Sequence, residues 1–333
     1  MAMASEAGPA SAELGPGLSE PAAVLAPAVG RRDLPYRVVS SRVPLLTRFL
    51  RIWQSRELLV FLIRKELKVK YKSSVLGLLW SMVNPAIVLL VYYIVFKYIA
   101  KNNTPYFALY LFAGLLVWNL FATALPGASS TIVANAGIVK KVAFAREVLP
   151  LSQVGTATVF LFFQVIVMAL FLAGFQLNPA WSYLPLVLFA LVDLVLLTAA
   201  LAIFVSAVNV YFRDVEHLVA VLLQAWFWFV AIVYNYDTVY AKFVAHHLRW
   251  LAAVYLADPI QPIVLAFQRF FYGRVFVTVP IPNYPHYTVQ VLAGYSYHFY
   301  VEMLAGLLVA SLAALFGALV VFGRVEGNFA EEL

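Results

Sequence analysis

The sequence contains no cysteine, which excludes a disulfide framework and thiolate metal ligands. Charged residues are also scarce, since they make up 12% of the 333 residues while hydrophobic residues make up 64%. A soluble domain of this length carries about 25% charged residues. These deficits indicate a chain that lies mostly within a lipid bilayer.

Several long segments lack Asp, Glu, Lys and Arg altogether, and a helix needs about 20 predominantly apolar residues to cross a bilayer. The pattern predicts an all-α polytopic membrane protein with six transmembrane helices. The predicted spans are about 76–98, 107–130, 152–175, 184–209, 218–237 and 303–323. Six crossings place both termini on the same side of the membrane.

The distribution of Lys and Arg predicts on which side of the membrane the two termini lie. Of the 23 Lys and Arg residues, 17 precede the first predicted span or follow the second, fourth and sixth, and six lie on the other face. Basic residues favour the cytoplasmic side, so we expect a multi-pass protein with both termini in the cytoplasm. The basic residues flank spans and form no soluble face, which argues against nucleic-acid binding.

The chain divides into four predicted regions. An Ala/Pro-rich tail over 1–35 buries too little apolar surface to order itself, so we expect disorder there. A cytoplasmic segment follows over 36–75, then a six-span transmembrane domain over 76–325, and a cytoplasmic C-terminal tail over 326–333.

The segment before the first span predicts an N-terminal amphipathic interface helix. On a helical projection Lys65, Lys68 and Lys72 share one face, and an apolar stripe on another face consists of Val60, Ile63, Leu67 and Tyr71. With Arg64, these residues suit a helix lying in the headgroup layer. Two interpretations stay open: a plain positive-inside anchor, or a gate helix that moves relative to the bundle.

Two predicted cytoplasmic loops carry candidate contacts. The first, over 135–151, combines apolar and charged side chains: Asn135, Ile138, Lys140, Lys141, Phe144, Arg146 and Glu147. It suits a short helix with apolar knobs inside a polar rim that docks on a soluble partner, or an ordinary loop helix. The second loop holds Arg213 and Asp214 in a tight polar corner between spans four and five.

The last external segment, about 238–302, is rich in tyrosine and too apolar for an ordinary loop. Asp258-Pro259 and Pro262 argue against a straight crossing, so we expect re-entrant helices buried in protein or lining a wet cavity. Beside span six stand four aromatic residues, Tyr295, Tyr297, Phe299 and Tyr300. They suit a channel ring that contacts a glycan, or an interfacial belt without a ligand.

Isolated polar residues within the predicted spans should face the bundle interior. Asp193 would cost roughly 2.5 kcal/mol or more if it faced lipid. It either makes a structural hydrogen bond, is protonated, or serves as a channel or gating contact. Asn84 and Asn119 are interpreted as interhelical hydrogen-bonding groups. No third ligand stands near His246-His247, so no metal site and no catalytic residues are predicted.

Four motifs occur in order between the predicted spans: KVKYKSSVLGLLWSMVNP (68–85), NAGIVKKVAFAREVLPL (135–151), NVYFRDVEH (209–217) and DPIQPIVLAFQRFFYG (258–273). Together they resemble the permease subunit of ABC exporters for polysaccharides, O antigens and teichoic acids. The resemblance covers roughly residues 55–325. It is closest to the Wzm-type permeases of actinobacteria, which export a lipid-linked galactan.

The resemblance implies a homodimer in a bacterial plasma membrane, bound to two copies of a separate Wzt-like ATP-binding subunit. It implies that the 135–151 helix couples to that subunit and that the 56–72 helix is the gate. The chain itself lacks a GxxxxGK[ST] phosphate loop. We therefore expect no cofactor and no enzymatic activity here, with ATP and Mg held by the partner.

The function expected from the sequence is export of a lipid-linked polysaccharide from the cytoplasm to the outer face. Alternatives are an ABC permease for another lipidic or drug substrate, a membrane-bound glycosyl- or acyltransferase, and a secondary carrier. The transferase would need acids gathered at one face, but the external acids are far apart in sequence and no DxD pair occurs. A secondary carrier would need ionisable groups near the midplane, where only Asp193 qualifies.

Overall fold

The computed structural model describes residues 45–333 except 71, 73, 75–76, 100–103, 282–283 and 293. The predicted disordered tail over 1–35 and the candidate gate residue Tyr71 lie outside the described residues. The bounds of the helices and strands therefore refer to the described part of the chain.

The described chain is predominantly helical, which confirms the predicted class. The α-helices are α1 (Leu45–Gln54), α2 (Arg56–Lys70), α3 (Trp80–Ile94), α4 (Phe107–Ala134), α5 (Ala136–Val139), α6 (Val148–Gly174), α7 (Leu184–Tyr211), α8 (Val215–Phe227), α9 (Tyr236–Ala245), α10 (Arg249–Leu256), α11 (Gln261–Tyr272), α12 (Tyr297–Val325) and α13 (Phe329–Glu332). Short 3₁₀ turns cover Gly77–Leu79, Trp181–Tyr183 and Glu326–Asn328, and a π-helical turn covers Val95–Ile99.

Five helical segments are long and apolar enough to cross a membrane: Met82–Ile99, Phe107–Ala134, Val148–Gly174, Trp181–Tyr211 and Tyr297–Asn328. They agree with predicted spans one, two, three, four and six. The predicted fifth span does not form one long helix, because α8 has 13 residues and ends at Phe227. At 1.5 Å per residue such a helix is about 20 Å long, short of the roughly 30 Å hydrocarbon core.

The non-helical backbone that follows α8 is bonded by side chains from other helices. The Ala231 amide donates to Gln261 Oε1 at 2.9 Å, and the Ala231 carbonyl accepts from Gln268 Nε2 at 3.0 Å. The Tyr110 hydroxyl donates to the Tyr234 carbonyl at 2.8 Å. Backbone groups that leave a helix inside an apolar environment need such partners, and this explains how the chain breaks there without a large energetic cost.

Helix α4 occupies the centre of the bundle and packs against α6, α7, α8 and α11. Helix α12 packs along α7, and all twelve residues of α11 are buried. A Cβ on Gly114 of α4 would come within 3.1 Å of the Ile232 side chain. Glycine at this position lets the broken segment approach the central helix closely.

Residues 276–281 and 284–290 pair as the two strands of an antiparallel hairpin, which was not predicted from the sequence. Strand β1 (Phe276–Ile281) pairs with β2 (Tyr284–Gln290), with Phe276 opposite Gln290 and a register shift between Val279 and Ile281. The helical class therefore holds apart from this hairpin. β-branched and aromatic residues dominate both strands and favour extended backbone.

Candidate functional site

One face of the bundle gathers both described chain ends, the 135–147 loop and the 212–214 corner; we call it the terminal face. Arg48 of α1 lies at its centre. Its Nη1 lies 2.5 Å from Glu147 Oε1, and its Nη2 lies 2.8 Å from Glu326 Oε2. One buried guanidinium thus joins the first described helix, the loop before α6 and the end of α12.

The C-terminal residues are held to the same face by further contacts. Arg146 Nη1 donates to the Glu326 carbonyl at 2.5 Å, and the Tyr211 hydroxyl donates to the Val325 carbonyl at 2.9 Å. The Phe329 ring is fully buried, with its centroid 5.4 Å from that of Phe322. We call Arg48, Arg146, Glu147, Glu326 and Phe329 together the terminal clamp.

The electrostatics of the clamp are those of a buried ion pair. Burial raises the pKa of Glu147 above its ordinary value, and the nearby Glu326 carboxylate raises it further, while Arg48 opposes the shift. Glu147 is 3% exposed and Arg48 is 6% exposed. Since water screens such a pair poorly, loss of Arg48 would leave the Glu147 carboxylate as an uncompensated buried charge.

The 135–147 loop is helical only over the single turn of α5, although a short helix was expected. Asn135 closes the preceding helix, where its Nδ2 donates to the Thr131 carbonyl at 2.8 Å. Ile138 and Val142 are 44% and 54% exposed, and Lys140 and Lys141 are exposed beside them. This part of the loop presents the apolar knobs and polar rim expected from the sequence.

The other half of the loop differs from that expectation. Arg146 and Glu147 were expected to point outward, but they bond to Glu326 and Arg48 within the chain. Phe144 is partly buried and packs against the apolar cluster around Phe329. Only the first half of the loop is therefore open to a partner.

The corner between α7 and α8 is short and structured. Arg213 and Asp214 are both exposed. The Asn209 side-chain oxygen accepts from the Glu216 amide at 3.0 Å, which satisfies one of the unpaired amides at the start of α8.

The basic helix α2 packs along α6. Leu62 is buried, and a Cβ on Gly155 would fall on the Ile63 side chain. Arg64, Lys68 and Lys72 are exposed and Lys65 is partly exposed. The helix forms as predicted up to Lys70; its place at the membrane interface and its role as a gate stay predictions.

The four candidate aromatic residues lie together at the start of α12, at the opposite face of the bundle. The rings of Tyr295 and Phe299 stack with centroids 4.3 Å apart, and the Tyr295 hydroxyl donates to the Asp237 carboxylate. Tyr300 is buried at 4% exposure, whereas Tyr297 is 40% exposed. Within one chain, Tyr297 is therefore the most open of the four candidates.

The intramembrane polar residues have different environments. Asn119 Nδ2 donates to Gln164 Oε1 at 2.8 Å and so links α4 to α6. Asn84 is exposed on α3. Asp193 is fully buried, and its carboxylate oxygens have no hydrogen-bond partner among the described residues.

The described residues contain no group of three or more His, Cys, Asp and Glu side chains placed to hold a metal ion. On the terminal face, ion pairs and hydrogen bonds join separate segments of the chain. Such an arrangement can transmit movement between a loop and two helices.

Arg48 and Glu326 were not predicted as site residues. Arg48 stands in a helix that was not singled out, and Glu326 stands in the C-terminal tail. A single Arg and a single Glu separated by 278 positions carry no local pattern. A weak signal was available in Glu326, an acid immediately after the last apolar span, close to Arg324.

Comparison with known proteins agrees with this architecture. Residues 57–264 match the family described as ABC-2 type transporter. An O-antigen export system permease protein RfbA from Klebsiella pneumoniae is 30% identical over 239 residues, which cover 72% of this chain and 87% of the relative. A relative of the same name from Myxococcus xanthus is 33% identical over 223 residues, covering 66% of this chain and 82% of the relative.

The chain therefore belongs to the ABC-2 type transporter family. It is a multi-pass membrane permease, the membrane subunit of a transporter.

Proposed function

We propose that this chain is the membrane-spanning subunit of an ATP-driven exporter of a lipid-linked polysaccharide of the O-antigen or galactan type. The observation that carries the proposal is the similarity, over most of the chain, to permeases named for O-antigen export. The functional unit is a homodimer with two copies of a separate Wzt-like ATP-binding subunit, which holds ATP and Mg.

The terminal face is the cytoplasmic face in this proposal, within a bacterial plasma membrane. Most Lys and Arg residues lie on its side of the apolar spans, as the positive-inside rule requires. The fifth of the six crossings is made by α8 together with the segment that follows it. The glutamine bonds to Ala231 support this path, because they satisfy the backbone where helical bonding stops.

Helices α10 and α11 form the proposed re-entrant pair. Trp226 Nε1 lies 3.3 Å from Asp258 Oδ2, so the turn between them reaches the end of α8. Trp226 also stacks edge-on against Phe121, which stands at the middle of α4. This contact supports a turn at the depth of the bundle centre, from which α11 returns toward the opposite face.

The exposed half of the 135–147 loop receives the movement of the ATP-binding subunit. Ile138, Val142 and the two adjacent lysines provide an apolar contact within a basic rim. The terminal clamp transmits that movement to α1 and to the end of α12 through Glu147 and Arg146. The gate helix α2 follows α1 directly and packs on α6.

Aromatic rings at the face opposite the terminal face contact the glycan. Within one chain, Tyr297 is the most accessible of these rings. Flat apolar rings stack on the C–H faces of sugars, and their polar tips hydrogen-bond to hydroxyls. A second protomer would complete the wall of the conduit.

A direct test compares the purified chain with the chain co-purified with an ATP-binding subunit. We expect no ATP hydrolysis by the chain alone and hydrolysis by the complex. In proteoliposomes, the complex should export a lipid-linked O-antigen and leave an unrelated amphiphilic drug behind. Sustained hydrolysis by the chain alone, or export of the drug in preference to the glycan, would contradict the proposal.

A further inference from the structure

A cavity of about 430 Å³ lies between α3, α4 and α6, next to the end of α2. This volume falls within the roughly 300–1,000 Å³ typical of small-molecule sites. Its polar lining residues are Lys70, Ser74, Asn84, Asn119, Thr123 and Gln164. None of them is acidic, and Lys70 is the sole ionisable residue among the lining residues that the structure describes.

Lys70 is the last residue of α2, and its side chain reaches the side of α6. Its ammonium lies 4.2 Å from the ring centroid of Phe160, and Phe160 is one residue from the midpoint of α6. The cavity therefore has a cationic group on its wall, held against an aromatic ring.

Among the described residues, the ammonium has no carboxylate partner. Both ion pairs among the described residues belong to Arg48, on the terminal face. The side chain of Lys70 is exposed, yet the protein around its ammonium lowers its pKa through desolvation. The Phe160 ring offsets only part of the lost hydration, since a cation–π contact contributes about 0.5–2 kcal/mol.

The rest of the cavity offers hydrogen-bond donors and apolar surface. The bond from Asn119 to Gln164 uses the Gln164 oxygen and leaves its amide hydrogens for another acceptor. Trp80, Val88 and Leu115 add apolar walls beside these amides. One cation, several neutral donors and apolar walls suit an amphiphile whose head is an anionic phosphate.

We infer that this cavity binds the phosphate group of a lipid, with Lys70 as the charged contact and Gln164 as a neutral donor. The inference deepens the proposed function, because it gives the exported lipid-linked substrate a headgroup site. The apolar walls favour a phosphate attached to a lipid over free phosphate, and the absence of acids excludes a cationic ligand.

The test uses the full-length protein in dodecyl maltoside, a detergent without phosphate, and isothermal titration calorimetry. The probes are farnesyl diphosphate, farnesol and inorganic pyrophosphate. We expect farnesyl diphosphate to bind at least tenfold more tightly than either of the other two. Lys70→Gln should weaken that binding about 10- to 100-fold, as loss of a charged hydrogen bond does, whereas Lys70→Arg should stay within about threefold.

Lys72→Gln is the matched control, because Lys72 is exposed nearby and does not line the cavity. Thr123→Trp fills the cavity from its exposed wall and leaves Lys70 intact, so it should also abolish binding.

Equal binding by Lys70→Gln and the wild type would overturn the inference. So would pyrophosphate or farnesol binding as tightly as farnesyl diphosphate. No nucleotide or partner is needed, so this result is independent of whether the complex exports a glycan.

Discussion

Replacing Arg48 with methionine should release the terminal face while leaving the bundle folded. The pair with Glu147 is buried, with side-chain exposures of 6% and 4%. Removing one partner of such a pair costs about 3–5 kcal/mol. The pair with Glu326, which is 26% exposed, adds about 0.2–1 kcal/mol.

That loss acts locally, because apolar packing of the long helices holds the bundle. It should therefore appear as opening of α1 and of residues 326–333 in hydrogen–deuterium exchange on the full-length protein. A cost of about 3 kcal/mol corresponds to a more than 100-fold larger opening equilibrium. Arg51→Met is the control, since Arg51 is exposed on the same helix.

The opening caused by Arg48→Met should also depend on pH. Burial raises the folded pKa of Glu147 above 4.5, and removal of Arg48 takes away an opposing influence and raises it further. A carboxyl with a raised folded pKa contributes stability that is present below its unfolded pKa and is lost as pH rises through its folded pKa. Opening of Arg48→Met should therefore be larger at pH 7.5 than at pH 5.

Two outcomes would refute this account of the clamp. One is exchange in Arg48→Met within threefold of that in Arg51→Met. The other is failure of Arg48→Met/Glu147→Gln to restore protection, because a neutral amide at position 147 leaves no unpaired charge. The double variant should also lose most of the pH dependence.

Three further predictions concern the bundle, each checked by thermal unfolding of the full-length protein in detergent. Gly155→Val should destabilise by about 1–3 kcal/mol because its side chain meets Ile63, whereas Gly174→Val, which faces open space, should not. Gln261→Leu should cost about 1–3 kcal/mol by leaving the Ala231 amide buried without an acceptor, and an unchanged melting temperature would argue against that bond. Asp193→Asn should be at least as stable as the wild type, because no described partner holds the carboxylate; a clear loss would reveal one.

The long apolar spans could be predicted from sequence because bilayer thickness alone sets their length. Helices α4, α7 and α12 include the predicted spans at their positions, and α6 ends one residue before the end of its predicted span. The break after Phe227 could not be predicted, because Trp228–Asn235 is as apolar and aromatic as a continuing helix. What ends α8 is a set of bonds from Gln261 and Gln268, about 30 residues further on.

The terminal face likewise combines features that a local sequence pattern predicts with features that it does not. Ile138, Val142 and the adjacent lysines form a locally readable pattern, and they are exposed as that pattern suggests. The inward direction of Glu147 depends on Arg48, which is 99 positions away. Such long-range pairs are decided by how α1, α6 and α12 meet, and no local spacing encodes that meeting.

The most direct test of the account is glycan export by proteoliposomes that contain this chain and an ATP-binding subunit. In the decisive variant, Ile138, Lys140, Lys141 and Val142 are replaced by serine, which leaves the terminal clamp intact. We predict that this variant loses both binding of the ATP-binding subunit and ATP-dependent export, while the same substitutions at the exposed residues Lys242 and Val244 change neither. Full export by the loop variant, or export that proceeds without the ATP-binding subunit, would contradict the account.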